Sequence, residues 1–328
     1  MRAPLLFTAS LVGLAGLAGL TTVEANRLRG RYRGDLAAAR RRLSTSGSQT
    51  FRTPGGPIEY ATAGDGVPVL EVHGIFGGYD QGLVAAGPVL ADGFHVIAPS
   101  RFGYLRTPLP PDASPTTQAD AHAALLDHLG IDRVVVMAHS AGSVSAVQLA
   151  LRHPQRVAAL VLMVPAAPGP GPTAPPRRVV EALFRTDALF WFLATFLPSR
   201  LPVGVPRGLS LTPQDHLAVA LMMRTLLPAT ARRDGFLFDM FGPTPAINSG
   251  IPFHEITVPT LVVTAADDPL ASPDNARRLA SLIPHARLLE VDHGGHLLLG
   301  QVEQVGAEVR TFIAQTSGPP HPKDAKAS

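Results

Sequence analysis

The chain predicts an α/β fold: a mostly parallel central sheet with helices on both faces, interrupted by a helical insertion. Three observations predict it. Short apolar runs rich in valine recur along the chain, several of them end in a glycine or small-residue turn, and stretches apolar on one face separate them. The runs are Val67–Val72, Phe94–Ala98, Val134–Ala138, Thr260–Thr264 and Ala286–Val291. Continuous apolar runs of this length read as strands covered on both faces. With 328 residues, 46% of them hydrophobic, the chain can bury a large core in one domain plus an insertion.

Taken in order, the elements begin with an uncharged stretch from Pro4 to Val23, rich in leucine, alanine and glycine and long enough to span a bilayer. Only Arg2 precedes it, whereas Arg27, Arg29, Arg31, Arg33, Arg40, Arg41 and Arg42 follow, against Glu24 and Asp35. By the positive-inside rule that asymmetry keeps the following domain in the cytoplasm. Residues 1–23 are therefore expected to be a membrane anchor. The alternative is a signal segment and export, since Val23 and Ala25 fit the small positions of a cleavage site. Residues 24–50 read as a basic helix and linker, and residues 51–64 as a short antiparallel pair. The core comprises 51–166 and 257–315, with helices at Gln118–Leu129 and Val144–Leu151. Residues 167–256 open on a proline run (Pro168, Pro170, Pro172, Pro175, Pro176) and continue as helical segments. The proline-containing tail, 316–328, is expected to be disordered.

The composition narrows the chemistry. After residue 42 the chain is slightly acidic overall and carries no base-reading motif, so nucleic acid is not an expected partner. Absence of cysteine excludes disulfides, thiol catalysis and thiolate metal sites. The histidines form no spaced ligand cluster, so neither a metal nor another cofactor is expected.

The most informative run is Val134 to Ser143. An apolar strand drives into Ala138-His139-Ser140-Ala141-Gly142, and helix-forming residues follow at once. This is the layout of a nucleophile elbow, with alanine in place of the usual first glycine; the plain alternative is a serine N-cap. Upstream, Val67–Val72 runs into His73-Gly74-Ile75-Phe76-Gly77-Gly78, a turn able to aim backbone N–H groups at one point. Two such groups would hold an oxyanion: Ile75 or Phe76 from this loop, and Ala141 after the serine. Downstream, one strand ends in Asp267-Asp268 and another in Asp292-His293-Gly294-Gly295-His296. A serine, an acid and a histidine thus follow separate strands in that order.

These motifs resemble the α/β-hydrolase superfamily, in its cap-bearing branch of serine esterases and hydrolases of meta-cleavage products, over roughly residues 55–315. The resemblance implies Ser140 as nucleophile, Asp268 as the triad acid and His296 as general base. His73 and Gly74 would support the oxyanion loop. Asp267 and His293 are decoys beside the acid and the base, and Ala265 stands where family members carry glycine. The insertion at 167–256 would be a helical cap, whose aromatic residues make Phe190 and Trp191 substrate-binding candidates. The expected activity is hydrolysis of a small apolar carboxylic ester through an acyl-enzyme. Cleavage of a carbon–carbon bond in dienoate ring-cleavage products is the alternative, and a non-catalytic binding protein is the reading from another class. Oligomeric state is left open.

Overall fold

The computed structural model describes residues 5–171, 173–197 and 204–316, with side chains from residue 24 onward. Its centre is an eight-stranded sheet: β1 (Gln49–Thr53), β2 (Gly56–Ala63), β3 (Val67–Val72), β4 (Phe94–Pro99), β5 (Val134–His139), β6 (Val157–Met163), β7 (Thr260–Ala265) and β8 (Arg287–Val291). The spatial order is β1-β2-β4-β3-β5-β6-β7-β8. β1 pairs antiparallel to β2, and β2 antiparallel to β4; every other pairing is parallel.

Alternation along these strands produces two cores. Leu70, Val72, Val136, Ala138, Leu160, Leu162 and Val262 face α3 (Pro115–His128), α4 (Ser143–Arg152) and α10 (Pro273–Leu282). Val69, Val135, Met137, Val161, Met163 and Val263 face α2 (Tyr79–Leu90) and α11 (Val302–Thr316). Coverage of both faces explains why these strands read as apolar runs, broken in β3 only by Pro68 and Glu71. The chain leaves β3 for β4 on one side and then returns to β5 on the other. That reversal opens a crevice at the carboxyl ends of β3 and β5, where ligands of open α/β sheets bind. Parallel pairing of Val72 with Ala138 sets the loops after β3 and β5 side by side. Pairing of Ala265 with Val291 does the same for the loops after β7 and β8.

The insertion folds as α5 (Arg177–Leu183), α6 (Asp187–Phe196), α7 (Pro213–Thr225), α8 (Arg233–Phe241) and α9 (Pro243–Ala246). Val180, Phe184, Phe190, Leu226, Ala229 and Leu237 form its own apolar cluster, and Phe76 from the core joins them.

In the N-terminal region, residues 24–45 form the second half of a continuous helix, α1 (Leu5–Thr45). Leu36 and Ala39 are buried. Asp35 accepts a 2.8 Å hydrogen bond from the indole of Trp191, and Tyr32 meets that ring edge-on. Arg42 donates to Asp80 and to the Leu227 carbonyl, so one arginine of the basic cluster is an internal tether. Among the described residues no helix is long and apolar enough to cross a membrane. The expected anchor, residues 1–23, lies outside them as far as side chains are concerned. At the other end α11 retains Thr316, and the expected tail beyond it also lies outside the described residues.

Candidate active site

Ser140 follows β5 at φ +48°, a left-handed backbone that a non-glycine residue holds only under constraint. The constraint is visible. A Cβ on Gly142 would sit 2.3 Å from the Val72 carbonyl oxygen, and one on Gly74 would sit 3.2 Å from the Ser140 Cβ. The loops after β3 and β5 are therefore pressed together, and only small residues fit between them. Ala141, next after Ser140, opens a helical turn, where backbone N–H groups have no intrahelical acceptor.

Asp268 and His296 meet across the loops after β7 and β8, with His296 Nδ1 to Asp268 Oδ2 at 2.7 Å. The other carboxylate oxygen accepts from the backbone N–H groups of Leu270 (2.8 Å) and Ala271 (3.0 Å). The acid is thus fixed on both oxygens. His296 Nδ1 donates to it, which leaves Nε2 as an acceptor. The backbone of His296 donates to the Gly204 carbonyl at 2.9 Å, so a cap loop rests on this histidine. Asp267 serves a different purpose: it accepts from the N–H groups of Gly294 (3.3 Å) and Gly295 (2.8 Å) and so holds the turn that presents His296. His293 is exposed and contacts Gln301. Among the described residues, the Ser140 hydroxyl has no hydrogen-bond partner.

The glycine loop after β3 is held by groups that no motif announced. Arg101, after β4, donates through Nε to the His73 carbonyl (2.8 Å) and through a terminal nitrogen to the Gly74 carbonyl (3.1 Å). The same guanidinium makes a two-pronged pair, at 2.7 and 2.5 Å, with Asp239 of cap helix α8. Tyr104 donates to Asp239 (2.5 Å) and accepts the N–H of Phe76 (3.1 Å). Burial and that carboxylate push the Tyr104 phenol well above its ordinary pKa, so it stays a donor. Of the two loop N–H groups expected to face an oxyanion, Phe76 is thereby committed to Tyr104, and Ile75 remains. The loop is clamped further along as well. Arg232, fully buried, donates to the Gly77 carbonyl and makes a bidentate pair with Asp80 at 2.8 and 3.0 Å.

His73 lies inside this network. Its Nδ1 bonds the Gly74 carbonyl at 2.7 Å, and Nε2 accepts the Arg101 N–H at 2.9 Å, which fixes the neutral Nδ1-protonated tautomer. Burial and the Arg101 charge hold its pKa well below the ordinary histidine value. His122 on α3 is fully buried with both ring nitrogens unpartnered, and burial with the Arg101 charge lowers it to about 3. His139, beside Ser140, bonds Glu71 at 2.7 Å; burial raises the Glu71 pKa, and its second oxygen has no partner among the described residues.

An acid-stability signature follows. A histidine kept neutral in the fold stabilises fully above its unfolded pKa, near 6.5. That stability is lost as pH falls toward the folded value, because the unfolded chain binds the proton first. Each such histidine contributes a slope of about 1.4 kcal/mol per pH unit in that window. Urea unfolding between pH 6.5 and 4.5 should show the stability gap between wild type and His122→Leu changing at about this rate, wild type losing more on acidification. A constant gap would mean that His122 is charged in the fold.

The aromatic candidates separate. Phe190, 2% exposed, stacks edge-on against Phe76 of the oxyanion loop at 4.8 Å, with Phe184 and Phe236 completing the cluster. Trp191 instead faces α1, through Asp35 and Tyr32, and Phe196. It thus takes a place in the cap–α1 interface, where the indole N–H finds its acceptor.

A strained serine at a strand end, an oriented Asp–His pair and a clamped glycine loop are the parts of a hydrolase. The chain belongs to the alpha/beta hydrolase fold family, whose model matches residues 67–301. It is 31% identical over 219 residues to a 2-hydroxy-6-oxononadienedioate/2-hydroxy-6-oxononatrienedioate hydrolase of Cupriavidus pinatubonensis, a match covering 64% of this chain and 72% of that one. Among solved structures, an α/β-hydrolase fold protein from Nakamurella multipartita is similar at TM-score 0.66 and 27% identity, covering 83% of this chain and all of that one. Est816, an N-acyl homoserine lactone degrading enzyme, is similar at TM-score 0.59 and 26% identity, covering 81% and 99%.

Proposed function

We propose that this hydrolase cleaves apolar carboxylic esters through an acyl-enzyme. Ser140 attacks the carbonyl carbon while His296 Nε2 takes its proton. The carbonyl oxygen becomes an oxyanion held by the N–H groups of Ile75 and Ala141. His296 then gives its proton to the departing alcohol oxygen, and water, deprotonated by the same ring, releases the acid. Asp268 orients the ring and balances its positive charge.

The observation that carries the ester reading is the character of the wall above the loop. Phe76, Phe184, Phe190 and Phe236 pack against one another there, so cap and loop meet through uncharged aromatic side chains. The second reading, carbon–carbon cleavage of a dienoate, draws support from the Cupriavidus relative, whose named substrates are dicarboxylates. Such substrates need cationic partners. The buried guanidinium groups beside the loop, Arg101 and Arg232, are already matched by Asp239 and Asp80. We also propose that residues 4–23 hold the chain at a membrane, with the arginine-rich side, and hence the catalytic body, in the cytoplasm.

The test is a fluorophosphonate label together with a p-nitrophenyl ester series from acetyl to palmitoyl. Labelling that Ser140→Ala abolishes, with turnover on longer acyl chains, is the expected result. Labelling without ester turnover would move the assignment to the dienoate reaction, and no labelling of folded protein to a non-catalytic role.

A further inference from the structure

Helix α6 is apolar on every side. After Asp187 it reads Ala-Leu-Phe-Trp-Phe-Leu-Ala-Thr-Phe, without a charge. Phe190 and Trp191 occupy its buried side. Leu189, Phe192 and Phe196, spaced three and four apart, form another stripe and are 43%, 42% and 43% exposed; Leu197 follows at 42%. Phe192 and Phe196 lie in contact, with ring centroids 5.1 Å apart. A helix apolar all round belongs in a core or in lipid, and this one is covered on only one side by the described residues.

The neighbouring α1 identifies the cover. Tyr32 and Asp35 hold Trp191, while Arg31 lies over the Phe196 ring at 5.6 Å. Later residues of α6 therefore lie against earlier residues of α1. The exposed end of α6 adjoins the part of α1 that leads back to the uncharged segment 4–23. Arg31 is eight residues from Val23, about 12 Å of helix. On those turns Arg27, Arg29, Arg31 and Arg33 are all exposed. Aromatic rings beside helix turns that carry guanidinium groups on both faces, Arg31 among them over Phe196, suit the boundary between acyl chains and anionic headgroups.

We infer that the outer face of α6 is seated in the interface of an anionic bilayer, with Phe192, Phe196 and Leu189 among the acyl chains and the α1 arginines among the headgroups. The inference rests on residues 4–23 as the anchor. It sets the bilayer about one helix diameter, roughly 10 Å, from the Phe190 side of the same helix. An apolar ester would then reach the cap from the lipid phase.

Trp191, the chain's one tryptophan, reports on this directly. The full chain is bound to phosphatidylglycerol–phosphatidylcholine vesicles with and without brominated acyl chains. Sedimentation reads the anchor, and emission reads the cap. Bromination should cut Trp191 emission at least about twofold, as expected for an interfacial helix. Phe192→Ser with Phe196→Ser should reverse most of that loss while sedimentation and turnover of a water-soluble ester stay unchanged. Sedimenting protein whose emission ignores bromination would overturn the inference and leave the anchor standing. So would cross-linking of Phe192→Cys to a second copy, which would identify the cover as protein. Failure to sediment would overturn both.

Discussion

Asp268→Asn should lower kcat about ten-thousand-fold while leaving the fold intact, the effect of forcing the wrong histidine tautomer. The geometry dictates the direction. The Leu270 and Ala271 N–H groups require an acceptor, so the asparagine carbonyl oxygen must stay with them. Its amide nitrogen then faces His296 Nδ1 as a donor. That ring nitrogen becomes an acceptor, the proton moves to Nε2, and the ring can no longer take the Ser140 proton. Asp267→Asn keeps one acceptor for Gly294 and Gly295 and should cost far less. Steady-state kinetics on one ester, with near-ultraviolet circular dichroism as the control for folding, separates the two. Loss in Asp267→Asn with activity kept in Asp268→Asn would reverse the assignment.

Asp239→Ala should be the most damaging change outside Ser140, Asp268 and His296, costing about 3–5 kcal/mol in urea unfolding, since it strands a buried guanidinium. Arg101 would keep only the His73 and Gly74 carbonyls, and Tyr104 would lose its acceptor. The double variant Arg101→Met, Asp239→Met removes both charges and should recover much of that stability. Activity should not recover with it. Without Arg101 the two loop carbonyls are released, and the Ile75 N–H drifts from its aim, a loss of up to about a hundred- to a thousand-fold. Recovery of both properties together would make the pair purely structural.

These two predictions differ in how visible their residues are in sequence. Ser140, Asp268, His296 and the glycine loop stand directly after apolar strands, so local pattern and chain order expose them. Most strands were equally legible: Val67–Val72 coincides with β3, and the Thr260 run is one residue shorter than β7, but β6 (Val157–Met163) was not among the runs read. Arg101 and Asp239 lie 138 residues apart and join only when the cap closes on the core. Nothing in Ser100-Arg101-Phe102 or in Phe238-Asp239-Met240 announces a partner. Glu71 sits within an apolar strand as an isolated anomaly, a signal of something buried and polar, and His139 is what answers it. The contact of Trp191 with α1 is hidden in the sequence for a similar reason. An aromatic residue in a cap looks like pocket lining until the helix that claims its N–H, 156 residues away in sequence, is in view.

The clamp between Arg101 and Asp239 also bears on modularity. A cap on an α/β sheet invites grafting, with one relative's insertion exchanged for another's to change substrate range. Here the insertion supplies the counter-charges, Asp239 to Arg101 and Arg232 to Asp80, that hold the core's own glycine loop. A transplant that omits them would leave charges buried in both halves. Chimaeras of this hydrolase should therefore tolerate exchange of α6 and α7 while α8, with its Asp239 and the Arg232 just before it, travels with the core.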